Sequence, residues 1–255
     1  MVDPAVARER AVTFLKKRLP AAADGYVVGV SGGLDSAVAL HLAVEAVGPD
    51  RVTGFVLPGG PSSPTNMADA RGLCNALEID LREANIAPAV AEIADQYGDD
   101  VDVRSLGNVR ARTRMVFLYL AANRTDRLVV GPDNRSEHLL GYFTKFGDGA
   151  VDLRPLGDLY KTEVYELARH LGVDERFVEK TPTAELWPGQ TDKAEIGAPY
   201  EEIDPFLRAY VDEGAHAEAA AEATGVDGDT AERLATLVDG SEHKRARPPA
   251  APMPR

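Results

Sequence analysis

The chain has 255 residues, one cysteine and a formal net charge of −13, with 41 acidic residues against 7 lysines and 21 arginines. Its length suits one α/β domain with a large core. The acidic balance disfavours a nucleic-acid-binding surface, which would be basic, and without an 18-residue apolar run we expect no membrane span. The charged N-terminus has no signal-peptide pattern, and a lone cysteine fits a cytoplasmic protein.

The charge pattern also bears on the solvent in which the protein works. An acidic surface that is poor in lysine is typical of proteins in a salty cytoplasm, because salt screens the repulsion among carboxylates. We therefore expect a halophilic protein. An arginine-rich codon supply combined with ordinary acidity is the alternative, and the composition leaves it open.

Helical and strand patterns alternate along the chain at short spacing. This order predicts a three-layer α/β/α fold with a mostly parallel, five-stranded, Rossmann-like sheet and right-handed crossovers. Strands are predicted at 26–30, 51–57, 79–83 and 128–130, and helices at 3–18, 35–47, 65–77, 88–97, 106–123 and 160–171. An irregular segment at 181–197 precedes a helical C-terminal extension with helices at 200–212, 215–224 and 229–239.

The first strand runs into Gly29-Val30-Ser31-Gly32-Gly33-Leu34-Asp35-Ser36, where the second helix begins. Glycines let the backbone approach a ligand closely, and the helix N-terminus favours an anion. Asp35 would repel a phosphate unless it holds Mg²⁺, which bridges to phosphate. The segment is neither a Walker loop nor a G-x-G-x-x-G loop. It therefore predicts a phosphate site, and a plain strand–turn–helix connection is the alternative.

The helix predicted at 106–123 carries Arg110, Arg112 and Arg114. Arg110 and Arg114 share one face, and Arg112 points elsewhere. The adjoining run 115–120 is apolar on all sides, which predicts a helix buried on most sides. An arginine on such a helix needs an anionic partner, and a substrate anion and a structural carboxylate fit equally well.

Polar residues cluster after the fourth strand, at the sheet edge where ligands bind in open α/β folds. Glu137 is a candidate oxygen ligand for the metal or a helix-start carboxylate, and His138 is predicted to be a packing or surface histidine. Residues 141–152 combine glycines, aromatic residues and charges, as a nucleotide site or an Ω-like loop does. Residues 181–192, with the single tryptophan, predict a lid, a pocket wall or a packed loop.

Five segments closely resemble the ammonia-dependent NAD synthetases of the ATP pyrophosphatase superfamily, both in amino-acid sequence and in their order along the chain. These segments are residues 31–36, 106–115, 141–152, 186–192 and 243–245. The resemblance covers nearly the whole chain. Glutamine-using members carry an additional N-terminal amidase domain, and we expect no room for it before the strand at 26–30. We expect one domain over 1–255, with a core at about 20–195 and a helical part at about 198–255.

The resemblance implies a ligase that amidates deamido-NAD with ammonia through an adenylated intermediate, releasing AMP and pyrophosphate. It also implies ATP as co-substrate, Mg²⁺ as cofactor and a homodimer with the 106–123 helix in the interface. The implied catalytic pair is Asp35 and Lys161, and the implied metal ligands are Asp35 and Glu137. Implied ATP contacts are Gly29, Val30, Ser31, Gly32, Gly33, Leu34, Asp35, Ser36, Pro132, Lys161 and Thr183. Implied deamido-NAD contacts are Arg112, Lys145, Asp152, His243 and Lys244.

One position departs from the family pattern. The family usually has a threonine that contacts ATP where this chain has Pro132, and proline has neither the hydroxyl nor an N–H. Two alternatives to the implied activity follow. One is a non-catalytic dinucleotide-binding homologue. The other is a different adenylating amidotransferase or thiolase of the superfamily, which a cysteine pair or a nucleic-acid-binding patch would favour; the sequence has neither.

Overall fold

The computed structural model describes residues 1–98 and 100–251. Its centre is a parallel sheet with the strand order β3-β2-β1-β4. The strands are β1 Gly25–Gly29, β2 Val52–Val56, β3 Asp80–Glu83 and β4 Arg127–Val130. Val28 of β1 lies opposite Gly54 of β2 and Val130 of β4. Because all four strands are parallel, their carboxyl ends meet at one edge of the sheet.

The expectation of five strands is wrong by one. Leu153 makes a single parallel bridge to Val130 beside β4, but no fifth strand forms among the described residues. Two residues later, Pro155 has no N–H with which to continue a ladder. The segment therefore runs along the sheet edge without becoming part of the sheet.

Thirteen α-helices occur in the described residues, several of them a single turn or two. They are α1 Pro4–Arg18, α2 Leu34–Val47, α3 Pro64–Ala76, α4 Ala87–Tyr97, α5 Val103–Arg124, α6 Arg135–Leu140, α7 Lys161–Leu171, α8 Glu175–Val178, α9 Asp192–Ile196, α10 Tyr200–Leu207, α11 Ala217–Thr224, α12 Gly228–Gly240 and α13 Glu242–Arg245. The segment predicted as irregular thus contains α9, which the Thr191 side chain caps at Ala194 N. Helices this short show no sequence periodicity.

The helices cover both faces of the sheet. Side chains of a strand alternate between faces, so Val28 packs with α1, α2, α3 and α7 on one side, and Val27 packs with α5 on the other. Helices α6 and α9 to α12 bury a second core around Ile203, Phe206 and Leu234. The predicted three-layer fold with a helical C-terminal extension is confirmed. Within the described residues, no helix has both the length and the apolar character that crossing a bilayer requires.

Helix α5 departs from its prediction on its outer face. The Asp102 side chain accepts a hydrogen bond from Ser105 N at 2.9 Å, so the helix begins three residues earlier than the pattern indicates. Leu118 packs on the sheet, but Val116 and Leu120 are each 56% exposed. The expectation of burial on most sides is therefore wrong for the single chain, because nothing in the described residues covers this face.

Candidate active site

The predicted phosphate loop joins β1 to α2 and opens onto the carboxyl edge of the sheet. The Ser31 and Ser36 hydroxyls lie 3.1 Å apart, and Ser36 donates to Gly33 O at 2.9 Å. Gly32 has φ +82°, and a Cβ there would come within 2.2 Å of the Asn66 carbonyl oxygen, so only glycine fits. No side chain in the described residues caps α2, which leaves the first N–H groups of the helix available to an anion.

Lys161, Asp35 and Glu137 meet beside this loop. The Lys161 ammonium donates to Asp35 Oδ2 and also to Glu137 Oε1, the latter at 3.2 Å. The Lys161 side chain is 4% exposed, while those of the two acids keep 17% and 18%. The structure therefore brings Asp35 together with two residues that lie more than 100 positions further along the sequence, with the acids open to the cavity.

A buried polar frame holds these three side chains in place. Asn134 donates to Asp35 Oδ1 at 3.3 Å, and its own side-chain oxygen caps α6 at Glu137 N. The Ser136 hydroxyl accepts a hydrogen bond from Lys161 N at 2.9 Å and donates to Asp204, which in turn accepts from Thr162 N. The start of α7 is thereby fixed to α6 and α10.

Burial and the charge of Lys161 or its carboxylate partners have opposing effects on the pKa values of Glu137 and Lys161. Burial raises the pKa of Glu137 to about 8, although the Lys161 ammonium acts against it. Burial alone would lower the pKa of Lys161, but the carboxylates of Asp35 and Glu137, and more weakly Asp192, raise it above its usual value. The lysine is consequently a permanent cation in this site.

The donor set fits a magnesium ion. Mg²⁺ prefers carboxylate oxygens and in nucleotide sites takes one or two from the protein and the rest from phosphates and water. Asp35 and Glu137 offer such oxygens beside the phosphate loop, and they already share one cation, the Lys161 ammonium. No three acidic, histidine or cysteine side chains in the described parts of the chain are grouped to hold a metal alone. A phosphate-bridged ion is the arrangement that these residues suit.

A cavity of about 570 Å³ extends from the loop to α5 and the segment 181–191. Thr183 and Trp187 line it from that segment, which Arg110 holds through a 2.8 Å hydrogen bond to Leu186 O. The segment is therefore a pocket wall. The predicted residues that line the cavity are Gly29, Val30, Ser31, Gly33, Leu34, Asp35, Ser36, Pro132, Glu137, Lys161, Thr183 and Lys244.

The other predicted contacts lie outside this cavity. Arg112 donates to Lys145 O, and Lys145 donates to His243 O, so these three form a chain of contacts near the surface. Asp152 accepts hydrogen bonds from Val129 N at 2.7 Å and from Tyr119. Gly32 turns toward Asn66. The single chain thus gathers the predicted ATP residues and leaves most of the predicted dinucleotide residues apart from them.

Comparisons with known proteins follow from this geometry. The NAD synthase family model matches residues 7–248. The chain belongs to the NAD synthase family. It is 45% identical over 248 residues to an NH(3)-dependent NAD(+) synthetase of Thermococcus kodakarensis, covering 97% of both chains. It is 44% identical to the enzyme of that name from Halobacterium salinarum, covering 95% of this chain and 91% of that one. The structure of an NMN synthetase from Francisella tularensis matches with a TM-score of 0.88 and 36% identity, over 99% of this chain and 100% of that one.

Arg110, Arg112 and Arg114 of α5 form no salt bridge with a carboxylate in the described residues of this NAD synthase family member. Arg114 is largely buried and donates to Leu57 O at 3.1 Å and to the Ser62 hydroxyl, while Arg110 and Arg112 also bind carbonyl oxygens. Burial lowers the pKa of Arg114. The structural carboxylate is therefore wrong for these three arginines, because neutral carbonyl and hydroxyl oxygens accept their hydrogen bonds. The substrate anion stays a prediction.

Several residues of the site went unnoticed in the sequence. Asn134 holds Asp35, and Lys180 donates to Gly32 O at 2.7 Å and to Asp69. Asp133 and Asp192 add buried carboxyl groups to the cavity wall, and burial raises the pKa of both. Asn134 and Asp133 directly precede the helix that carries Glu137, and this position was the one available signal.

Neither Cys74, the single cysteine, nor His138, which directly follows Glu137, takes part in the site. Cys74 is fully buried, and burial raises the pKa of its thiol to about 11, so it is a core residue. His138 stacks on Phe143 with ring centroids 5.5 Å apart and contacts Arg154. Burial lowers its pKa to about 4, which keeps it neutral. It is the packing histidine that the sequence predicts.

Proposed function

We propose that this protein forms NAD from deamido-NAD, ATP and ammonia, releasing AMP and pyrophosphate. The observation that carries the proposal is the meeting of Asp35, Glu137 and Lys161 at the phosphate loop of an NAD synthase family chain. Relatives named NH(3)-dependent NAD(+) synthetase are 40–48% identical over most of the chain. They confirm the prediction of a ligase of this kind.

The proposed reaction has two steps. A carboxylate oxygen of the nicotinate ring attacks the α-phosphorus of ATP, and the bond to the β-phosphate oxygen breaks, which gives an acyl adenylate and pyrophosphate. Ammonia then attacks the acyl carbon, AMP leaves with its oxygen, and one proton is lost to form the amide. The loop N–H groups, Ser31, Ser36 and Lys161 stabilise the charge that develops on the departing pyrophosphate.

Asp35 and Glu137 would hold the magnesium ion at the mouth of the loop. When bound, Mg²⁺ neutralises phosphate charge and acts as a Lewis acid. The chain's own contribution is the position of the two carboxylates, which Asn134 and the α6 cap fix. The Lys180 ammonium donates a hydrogen bond to the Gly32 carbonyl oxygen of the loop, which keeps the loop N–H groups oriented toward the cavity.

The dinucleotide is proposed to lie along α5, and the protein to work as a homodimer. The proposed contacts of the dinucleotide are Arg112, Lys145, Asp152, His243 and Lys244. The exposed Val116 and Leu120 follow Arg112 on the same helix face at spacings of four and eight residues. An apolar stripe this exposed favours a protein–protein contact. A second copy seated there would bury the stripe and would enclose the dinucleotide beside Arg112.

The wider setting is part of the proposal. A buried, unpaired thiol at Cys74 suits the reducing cytoplasm. The charge of −13 with 7 lysines supports a protein adapted to salt, and the likeness to the Halobacterium enzyme agrees with it. We keep a single domain over 1–255, with a core at about 20–195 and a helical part at about 198–255, as the proposed division.

The test is incubation of the purified protein with deamido-NAD, ATP, MgCl₂ and ammonium at molar KCl. NAD, AMP and pyrophosphate should appear in equal amounts, and glutamine should replace ammonium poorly. ADP in place of AMP would refute the adenylate mechanism. Nicotinate mononucleotide is the second substrate to assay, since the match to an NMN synthetase favours it. A kcat/KM higher for the mononucleotide would assign the shorter substrate.

A further inference from the structure

The Lys161 ammonium sits on the two oxygens that the proposed magnesium site needs. Its Nζ donates to Asp35 Oδ2 and to Glu137 Oε1. Two cations cannot share these contacts at full strength, because they repel each other strongly in a buried site. Lys161 is 4% exposed at its side chain, so water is not at hand to replace lost partners. When a metal binds in the absence of nucleotide, the ammonium therefore needs another buried acceptor.

Asp192 offers such an acceptor at the first residue of α9. It is 3% exposed and lines the same cavity. Its Oδ2 accepts a hydrogen bond from the Tyr200 hydroxyl at 2.8 Å, while Oδ1 is buried and has no donor within the described parts of the chain. A buried carboxylate oxygen without a partner is costly and calls for an explanation.

The neighbouring tyrosine does not supply the missing donor. The Tyr142 hydroxyl lies near Asp192, but it has one proton and donates it to Glu195 Oε2 at 2.6 Å. The Gln190 amide donates to the same Glu195 oxygen. Asp192 Oδ1 is thus left vacant by a network in which the surrounding groups are already paired.

Tyr200 links Asp192 to the surroundings of the lysine. The Lys161 Nζ lies 5.4 Å from the centroid of the Tyr200 ring, and the hydroxyl of the same ring is bonded to Asp192. Tyr200 is 5% exposed and is fixed in the second core. An ammonium is attracted to the face of an aromatic ring, so the ring offers a path from the two metal carboxylates toward Asp192.

We propose that Asp192 is the alternative acceptor for the Lys161 ammonium. When a divalent cation binds to Asp35 and Glu137, the ammonium moves from these two residues to Asp192 Oδ1. Asp192 is in this sense a positioning residue that lets the metal displace the lysine. The inference rests on the magnesium site proposed above.

The test is a double-mutant cycle on Mn²⁺ binding to the full chain without nucleotide, followed by electron paramagnetic resonance. Asp192→Asn should weaken Mn²⁺ binding about tenfold where Lys161 is present. In the Lys161→Met background there is no ammonium to move, so Asp192→Asn should weaken Mn²⁺ binding less than about twofold. Glu195→Gln removes a charge from the same wall without contacting Lys161, and it should stay within about twofold of wild type.

Equal weakening by Asp192→Asn in both backgrounds would show an effect of charge alone and would overturn the inference, while NAD formation by the wild type would leave the proposed function intact. Failure of the wild type to bind Mn²⁺ with or without ATP would overturn the metal site and the inference together. A crystal structure of the wild type with Mn²⁺ is independent of variant folding. It should show Nζ within hydrogen-bond distance of Asp192 Oδ1, and Nζ remaining on Asp35 would refute the inference.

Discussion

The proposed ATP side and the proposed dinucleotide side of the site differ in how completely a single chain forms them. On the ATP side, Asp35, Glu137 and Lys161 contact one another in a cavity built by a single chain. On the dinucleotide side, the Arg112 and Lys145 side chains donate hydrogen bonds to carbonyl oxygens near the surface. They lie beside apolar residues that nothing in the described chain covers.

This difference separates two kinds of preorganisation. The phosphate loop costs little reorganisation when ATP binds, because its serines and glycines are already held by hydrogen bonds. The dinucleotide contacts must first give up their present partners, and a second protein surface is needed to bury the α5 stripe. The ATP side should therefore tolerate dissociation of the proposed dimer, and the dinucleotide side should not.

The largest expected effect comes from breaking the ATP side. Asp35→Asn and Glu137→Gln should each lower kcat at least about 100-fold, since each removes a charge that the phosphate-bound metal needs. The measurement is the rate of AMP release at saturating MgCl₂. Glu45→Gln is the control, because Glu45 lies on the same helix but pairs with Arg8 at the surface. A variant that keeps half of the wild-type rate would remove that carboxylate from the site.

The next effect comes from breaking the dinucleotide side alone. The pair Val116→Asp and Leu120→Asp should make the protein monomeric in sedimentation and weaken deamido-NAD binding about tenfold or more. ATP binding should change less than about twofold, because that cavity belongs to one chain.

The matched control is Val6→Asp, at an exposed apolar residue on α1. It should leave both assembly and binding unchanged. A monomeric double variant with full deamido-NAD affinity would show that the two sides do not differ in this way.

Sequence reasoning reached the first side more fully than the second. The phosphate loop is contiguous, so the strand pattern, the glycines and Asp35 together define it. The apolar run of α5 has the same pattern whether its own chain or a partner covers it, and for this reason the exposure of Val116 went unpredicted. The approach of Lys161 to the Tyr200 ring and the hydrogen bond from Tyr200 to Asp192 depend on how α7, α9 and α10 pack, which no local pattern encodes.

A smaller effect should come from salt, which acts on the assembly of the second side. With a net charge of −13 per chain, two copies repel each other at low ionic strength. The Debye length falls from about 30 Å at 0.01 M to about 3 Å at 1 M salt, so molar KCl should tighten the dimer at least about fivefold. Sedimentation in both salts measures this, with sucrose as the uncharged control. Equal dimer affinities would attribute the composition to codon supply.

The smallest effect concerns Pro132, which lines the cavity on the proposed ATP side, at the position where the family resemblance leads us to expect threonine. Gly131 before it packs so closely on Val151 that a Cβ would come within 2.6 Å, and Asp133 after it is buried, so the segment is held in place. One missing neutral hydrogen bond costs about 0.5–1.5 kcal/mol, a factor of about 2 to 10 in affinity. Pro132→Thr should lower the KM for ATP by that factor and leave kcat nearly unchanged.

Pro132→Val separates the hydroxyl from the backbone. Valine has the shape of threonine and restores the N–H, but it cannot donate from its side chain. It should therefore keep the KM of the wild type. An equal gain from valine would assign the effect to the backbone N–H or to the released φ angle. If the wild type bound deamido-NAD without forming an adenylate and Pro132→Thr restored turnover, the non-catalytic alternative would hold, because the ATP side would then be incomplete in this chain after all.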